Sequence, residues 1–587
     1  MSASALLVAF AASGVIAVIA TPLFASFARV RGIVVAPRDD RWHRRPTPLL
    51  GGVAIFLGVL VTLAATVDLR EQLWVVVVAG AFMAFALGLL DDLRHLAPAT
   101  KLAGQALIGV VVVLGGVGEE LIPFPPLRFL ITVFWIVGLM NAINLMDNMD
   151  GLAAGVTAIA AIMLAIVSAA SPGPAALVAV VCAGAAVGFL IHNFSPARVF
   201  MGDAGSLLLG YLLAMAALLH TAGAAANVAV ALIGPIVVLG LPIFDTFLVM
   251  TSRWWAGLPV SRGGRDHTSH RLAALGLSDR ASVLLLYGVA AALGATGLVL
   301  SSLSALVLPL VSLAVAILAL FAVFLLEIDP ARRAVSAPDD PRRRILARLS
   351  TYFRFGFEVG LDLILLTTAY YSSYIVRFEG MPEDAWLTPF VRSLPIVVGA
   401  QLATLVISGT YRTMWRYISI SDAVAIVRAI SIGTVVAAVG LLMSSGFEEY
   451  SRAVFVMDWI AAAALVVGSR SFLVWLTHWS TERRHEGERR AVIVGATDAG
   501  AAAVGLLGRA SGGRYRAVGF LDEDPGKRYR RIGGVRVIGT AADLEKVIES
   551  EGIDIVVLAT DDADVRQRVR EACDDRGIEC RDLLLPI

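Results

Sequence analysis

Residues 141–155 read NAINLMDNMDGLAAG, and they set Asn144, Asp147 and Asp150 between two apolar segments, 129–145 and 152–169. Both segments are apolar enough to sit in lipid. Ionisable groups at or inside a bilayer are costly, and they mark cavities, ion sites or reaction centres. The three polar side chains recur every third residue, so on a continuing helix they would face one target. Helix capping is the competing explanation, since Asp and Asn are good caps and Gly151 is a natural breaker.

Working outward, 587 residues of which 58% are hydrophobic and 16% charged exclude an ordinary soluble protein. The apolar runs 5–28, 49–67, 73–90, 102–117, 129–145, 152–169, 175–191, 207–219, 228–250, 281–300 and 305–326 predict eleven membrane-spanning helices. No basic residue precedes the first run, and Arg29, Arg31, Arg38, Arg41, Arg44 and Arg45 follow it. That asymmetry predicts a span with its N-terminus outside and a cytoplasmic first loop. Alternation from there leaves short outer loops nearly free of Lys and Arg. It places every polar cluster on the cytoplasmic face: 39–48, Asp91 and Asp92 with Lys101 and Gln105, the 144–150 group, 192–206, Asp245 and 253–271. A transporter of lipid-linked sugar would instead place polar groups at mid-depth. The net charge of +1 points to no nucleic-acid partner, and Cys182, Cys573 and Cys580 form no metal or disulfide spacing.

Residues 327–350 are charged and contain Pro, which reads as a linker. Four more spans follow, 357–376, 389–408, 423–443 and 454–476, forming an anchor over 351–480. From 489 to 587 strand-like and helical stretches alternate, the pattern of a small parallel α/β domain of Rossmann type on the cytoplasmic side. The fold class expected is a polytopic α-helical membrane protein of about eleven plus four transmembrane helices, with a first membrane domain over 1–326.

Carboxylates clustered on one face suit a hard divalent cation, which takes one or two of them together with phosphate oxygens. His43, Arg44, Arg45, Arg262, Arg265, His267, His270 and Arg271 supply cations for phosphate. Some of these arginines, Arg29 and Arg31 above all, are accounted for by topology alone.

The blocks DRWHRRPTPLLGG from Asp40, GLLDDL and KLAGQ within 88–105, NAINLMDNMDGLAAG, NFSPARVFMGDAGSLLLG from Asn193, PIFDT from Pro242 and GRDHTSHRL from Gly264 resemble the polyprenyl-phosphate N-acetylhexosamine-1-phosphate transferases. The resemblance covers 1–326 in motif order. It implies transfer of a sugar 1-phosphate, GlcNAc favoured, from a UDP-sugar to a polyprenyl phosphate such as undecaprenyl phosphate, with release of UMP and with Mg²⁺ or Mn²⁺. By the same resemblance Asp203 and Asp92 hold the metal, and Asp91, Asp92, Asp147 and Asp150 are catalytic. Lys101, Asn144, Asn193, Phe200, His267, His270 and Arg271 bind the nucleotide or phosphates, with Phe200 against the uracil. Two features depart from the family: Asn148 stands where Gly is usual, and the usual run of nearly adjacent histidines is here His267, Thr268, Ser269, His270, with one imidazole fewer. The histidine block is also built differently from that of the enzymes that take the peptidoglycan pentapeptide substrate.

YYSSYIVRFEG from Tyr370 and YRTMWRYIS from Tyr411 resemble the anchor of polysaccharide-biosynthesis proteins, in which a small Rossmann-like domain follows. GATDAG at 495–500 carries Thr497 where a dinucleotide fingerprint needs its second Gly, which favours a structural or dimerising role over nucleotide binding. Asp522 is the residue that a ribose could meet. The expected protein is a multi-pass enzyme of the bacterial plasma membrane that forms a homodimer, with a regulatory or dimerising C-terminal module; the alternatives are a flippase for lipid-linked sugar or an inactive assembly scaffold.

Overall fold

A computed structural model describes residues 1–35, 46–118, 124–169, 173–223, 228–255, 264, 266–275, 277–302, 307–328, 341–378, 384–412, 420–445, 450–482, 489–510, 515–532 and 535–583. It divides into two compact units, Met1–Thr477 and His478–Ile587.

The first unit begins with α1 (Ala3–Val30), a two-stranded ribbon of β1 (Val34–Val35) and β2 (Thr47–Pro48), α2 (Gly51–Thr66), α3 (Gln72–Arg94) and α4 (Pro98–Leu114). It continues through α5 (Pro125–Met146), α6 (Leu152–Ser168), α7 (Pro174–Asn193), α8 (Gly202–Gly223), α9 (Val228–Val238) and α10 (Gly240–Trp255). The short α11 (Thr268–Ala274) and the longer α12 (Asp279–Ser302) and α13 (Val307–Ile328) complete the set. Prolines open α4, α5 and α7, where a missing N–H costs nothing.

Among the described residues ten helices are long and apolar enough to cross a membrane, fewer than the fifteen spans expected. The difference of five has three causes, one of them that the apolar stretch counted within α13, Pro309–Ala322, is also too short. Helices α2, α4 and α6 are apolar but have 16 or 17 residues, about 25 Å at 1.5 Å per residue, somewhat short of a ~30 Å hydrocarbon core. The run expected to span 228–250 is broken at Leu239 into α9 and α10, with Pro235 inside the first piece.

Helix α8 is the axis of the bundle: from Leu207 to Ala217 its apolar side chains are at most 1% exposed. A helix apolar all round is enclosed by others, and α2, α3, α5, α6 and α7 all pack on it. Where lipid surrounds a bundle, close backbone approach through small residues supplies much of the association. Helices α1 and α7 meet this way. A Cβ on Gly184 would lie 2.2 Å from the carbonyl oxygen of Phe10, and Ser13 Oγ donates to Val181 O at 2.8 Å.

Four further helices follow, Pro341–Arg377, Asp384–Ile407, Ile420–Ser445 and Arg452–Glu482. The first starts inside the stretch read as linker, and it packs against α13. Asp362 and Asp458 lie within the anchor helices, where an acid needs a partner, and both have one. Arg470 meets both oxygens of Asp362 at 3.1 and 2.8 Å, Tyr411 donates to it at 2.8 Å, and Gln401 donates to Asp458 at 2.7 Å.

The second unit holds one sheet in the order β5 (Arg531–Ile532), β6 (Val535–Gly539), β4 (Tyr515–Leu521), β3 (Arg489–Val494), β7 (Ile555–Leu558), β8 (Glu579–Asp582), parallel except for β5 against β6. Alternation along β3 sends Val492 and Val494 to one face and Ile493 to the other. The first face packs on the helices Leu544–Glu551 and Ala563–Arg576, the second on Asp498–Ala510. The pairs β5–β6 and the edge strand β8 escape a sequence reading because each is short and charged.

The close contact of α1 and α7 predicts that Gly184→Ala lowers the melting temperature of the purified membrane protein, an overpacking loss of about 1–3 kcal/mol. Gly138→Ala, where a Cβ meets nothing within 4 Å, is the control. Equal melting curves for the two variants would contradict this packing.

Candidate active site

Connectivity alone collects the site. The C-terminal ends of α3, α5 and α7 and the N-terminal ends of α4, α6 and α8 lie at one end of the bundle, because each pair of helices is joined there by a short connection. Asp91 and Asp92 close α3, Lys101 opens α4, Asn144 closes α5 and Asp203 opens α8.

These five form one cluster. The Lys101 ammonium is 3.0 Å from Asp91 Oδ2, donates to Asn144 Oδ1 at 3.1 Å and pairs closely with Asp203 Oδ2. Asn144 Nδ2 donates to Asp203 Oδ1 at 2.7 Å and to Ser206 Oγ at 2.9 Å, so the amide orients the carboxylate. Asp91 also accepts from the N–H of Leu96 at 2.7 Å across the left-handed His95 that ends α3.

Asp92 differs from its neighbour. Its two oxygens accept from the N–H groups of Asp203 and Ala204 at 2.8 and 3.0 Å, which caps α8. Expected as a metal ligand, it is occupied in holding the helix that carries Asp203. Gly202, with φ +68°, gives this contact its room: a Cβ there would lie 2.5 Å from Asp92 Oδ2.

The helical period that would aim the polar residues after Asn144 at one target stops short of them. Helix α5 ends at Met146 and Asp147 is its C-cap, so the three-residue period stops. Asp150 turns away and accepts from the N–H of Ala197 at 2.9 Å. Asn193 is buried, and its amide bridges Gly151 N and Val199 O at 3.0 and 2.9 Å. Both therefore shape the 193–201 loop, where a direct contact to ligand was expected of them. Phe200, in that loop, is half-buried, and its backbone joins Pro48 and Gly51.

A second group forms around α11. His267 Nδ1 lies 2.9 Å from Asp245 Oδ2, and Asp245 Oδ1 accepts from Thr268 N at 2.7 Å. A carboxylate on one ring nitrogen fixes the orientation of an imidazole and directs the other nitrogen elsewhere. His270 stands edge-on to His267 with ring centroids 6.0 Å apart. Arg271, expected at phosphate, is 1% exposed and donates to Asp266 O at 2.7 Å and Leu325 O at 2.9 Å, so it is a strut between the histidine loop and α13. Arg253 clamps Asp266 with bonds of 2.7 and 2.9 Å. Burial pulls the Asp266 carboxyl upward, but the guanidinium outweighs it and holds the group below the usual carboxylate range. The clamp therefore contributes fully above the ordinary carboxyl value and is lost as pH falls through the lower folded value.

Ser206, Asp245, Asn148 and Ser269 join the site without having been picked out as ligands. Their signal was position inside the motif blocks. His43, Arg44, Arg45, Arg262 and Arg265 lie outside the described residues. In the α/β unit, Asp522 accepts from Ala496 N, Asp524 N and Lys527 at 2.7, 2.9 and 3.0 Å, so it closes the first turn of that domain upon itself.

Residues 74–221 match the family described as Glycosyl transferase family 4, and residues 406–570 match a family described as CoA-binding domain. The chain belongs to the polyprenyl-phosphate sugar-1-phosphate transferases of the first family, fused to a polysaccharide-biosynthesis-type anchor and Rossmann-like domain. It is a multi-pass membrane protein of the transferase class.

Among its relatives is a protein of Bacillus subtilis named "Probable undecaprenyl-phosphate N-acetylglucosaminyl 1-phosphate transferase", 36% identical over 308 residues that cover 51% of this chain and 85% of the relative. The decaprenyl-phosphate N-acetylglucosaminephosphotransferase of Mycobacterium tuberculosis is 35% identical over 294 residues, covering 44% of this chain and 72% of the relative. The phospho-N-acetylmuramoyl-pentapeptide-transferase of Lactobacillus johnsonii is 35% identical over 233 residues, covering 35% and 72%.

Gly202→Ala should cut turnover by about tenfold or more by displacing Asp92 from the end of α8. The check is the rate of sugar-phosphate transfer beside a melting curve; an unchanged rate in a folded variant would remove Asp92 from the positioning of Asp203.

Proposed function

We propose that this protein transfers N-acetylglucosamine 1-phosphate from UDP-N-acetylglucosamine to a polyprenyl phosphate, releasing UMP and starting a lipid-linked glycan. The observation that carries the reading is the convergence of Asp91, Asp203 and Asn144 oxygens on one cationic position, at the end of the bundle that also holds the histidine loop. The names of the relatives support the acceptor class and the sugar.

Among the described residues no three His, Cys, Asp or Glu side chains gather as a ready metal site. Two carboxylates and an amide oxygen around an ammonium nevertheless fit a hard divalent cation whose remaining ligands are phosphate oxygens. Asp203 and Asp91 would hold Mg²⁺ there, with Asn144 orienting Asp203, and the ion would neutralise phosphate charge. Asp92 keeps α8 capped. Lys101, displaced from the carboxylates, reaches a donor phosphate oxygen, and His267, fixed by Asp245, and His270 face the same phosphates. An oxygen of the acceptor phosphate then bonds to the sugar-linked phosphorus. The bond from that phosphorus to the bridging oxygen breaks, and UMP leaves with the bridging oxygen.

The domain order follows: transferase over 1–326, linker over 327–350, anchor over 351–480 and α/β module over 489–587, the last serving association as a homodimer or regulation. The site and the module face the cytoplasm of a bacterial plasma membrane, a placement supported by the arginines after the first span.

The test is UMP release by purified protein from a panel of UDP-sugars with undecaprenyl phosphate, with and without Mg²⁺, beside Asp203→Asn. Turnover of one UDP-HexNAc that needs metal and falls about a hundredfold or more in the variant is expected. Folded wild-type protein that turns over no donor would sink the reading.

A further inference from the structure

Asn148 and Ser269 lie 121 positions apart, and the structure joins them: Ser269 Oγ donates to Asn148 Oδ1 at 2.6 Å. Asn148 Nδ2 donates to Leu145 O at 2.8 Å, so the amide has partners at both ends and one orientation. Ser269 is 1% exposed. Its hydroxyl therefore has no water to turn to, and a buried hydroxyl without a partner is costly.

The bond spans two parts of the site. Asn148 sits in the turn after α5, next to Asp147, while Ser269 sits in the first turn of α11 between His267 and His270. The Ser269–Asn148 bond is therefore a direct, buried link between the turn that follows α5 and the loop that carries both histidines.

We propose that Asn148 and Ser269 are a coupled positioning pair that sets the spacing between the nucleotide-side turn and the histidine loop, and through it the placement of His267 and His270 on the donor phosphates. The pair rests on the transferase reading given above. It makes Ser269 and Asn148 dependent on each other: removing the Asn148 amide leaves the Ser269 hydroxyl unpaired, and removing the hydroxyl leaves Asn148 Oδ1 without that donor.

The experiment uses the full chain in lipid nanodiscs with undecaprenyl phosphate, comparing wild type, Asn148→Gly, Ser269→His and the double variant. For each, kcat and KM for the UDP-sugar turned over by wild type are measured across about pH 5 to 8. Each single variant should lose about tenfold in kcat/KM, and the double should return to within about threefold of wild type. The pH dependence of kcat should change with the loss, because His267 and His270 then sit differently on the donor phosphates, a change that a purely structural contact would not produce. Ser269→Thr and Ser269→Ala guard against a Ser269→His protein that does not fold: Thr keeps the hydroxyl and should keep activity, whereas Ala should lose it. Losses that add in the double, or Thr and Ala behaving alike, overturn the pair while leaving the transferase reading intact. Wild-type protein inert toward every donor overturns the transferase reading and the pair with it.

Discussion

The first turn of α8 is capped by a carboxylate from another helix, and the site depends on that contact. A helix N-terminus carries unpaired N–H groups and a partial positive charge. Asp92 answers both by accepting from Asp203 N and Ala204 N, which locks the end of α3 to the start of α8. Because α8 is enclosed by five other helices, its N-terminus cannot shift without disturbing the whole bundle. Asp203 is thus presented from a rigid element, and Lys101 and Asn144 then converge on it from α4 and α5.

This division of labour between adjacent acids explains why the pair occurs as a pair. On a helix, neighbouring side chains point about 100° apart. One of them, Asp92, faces α8 and is taken up by backbone; the other, Asp91, faces Lys101 and the open cluster. The same separation recurs at the histidine loop, where Asp245 and Arg271 spend their polar atoms on the scaffold and His267 and His270 are what the scaffold holds. Arg271 reaches α13, against which the first anchor helix packs, so the histidine loop and the anchor share one mechanical neighbour.

Much of this was legible from residue types. Carboxylates and amides beside apolar runs must be paired, capped or functional, so Asp91, Asp92, Asn144 and Asp203 stood out before any contact was known. Which of these alternatives each residue follows was not legible, because it depends on partners more than a hundred positions away, as between Asp92 and Asp203. The three-residue period of Asn144, Asp147 and Asp150 misled for a local reason: it assumed a helix that ends at Met146. The bonds of Arg271 to Asp266 O and Leu325 O were not legible either, because sequence gives charge but not burial. The anchor acids Asp362 and Asp458 were readable as needing partners, and the partners, Arg470 and Gln401, come from helices whose register no pattern specifies.

The α/β module shows the same limit from the other side. Its order of strands places the ends of β3, β4 and β7 around the crevice where ligands of such sheets bind. Yet the N–H of Ala496, which would face a phosphate there, already bonds Asp522, and Gly500 N bonds Thr497 Oγ1 at 3.3 Å. The crevice is lined by Asp522, Glu523, Asp524 and Asp562 against Lys527 alone among basic residues. A polyanion entering it would have to break the Asp522 bonds and meet a surplus of negative charge. The sheet topology alone thus argues for a nucleotide, and the charges at its switch point argue for a domain whose first turn is closed by its own side chain.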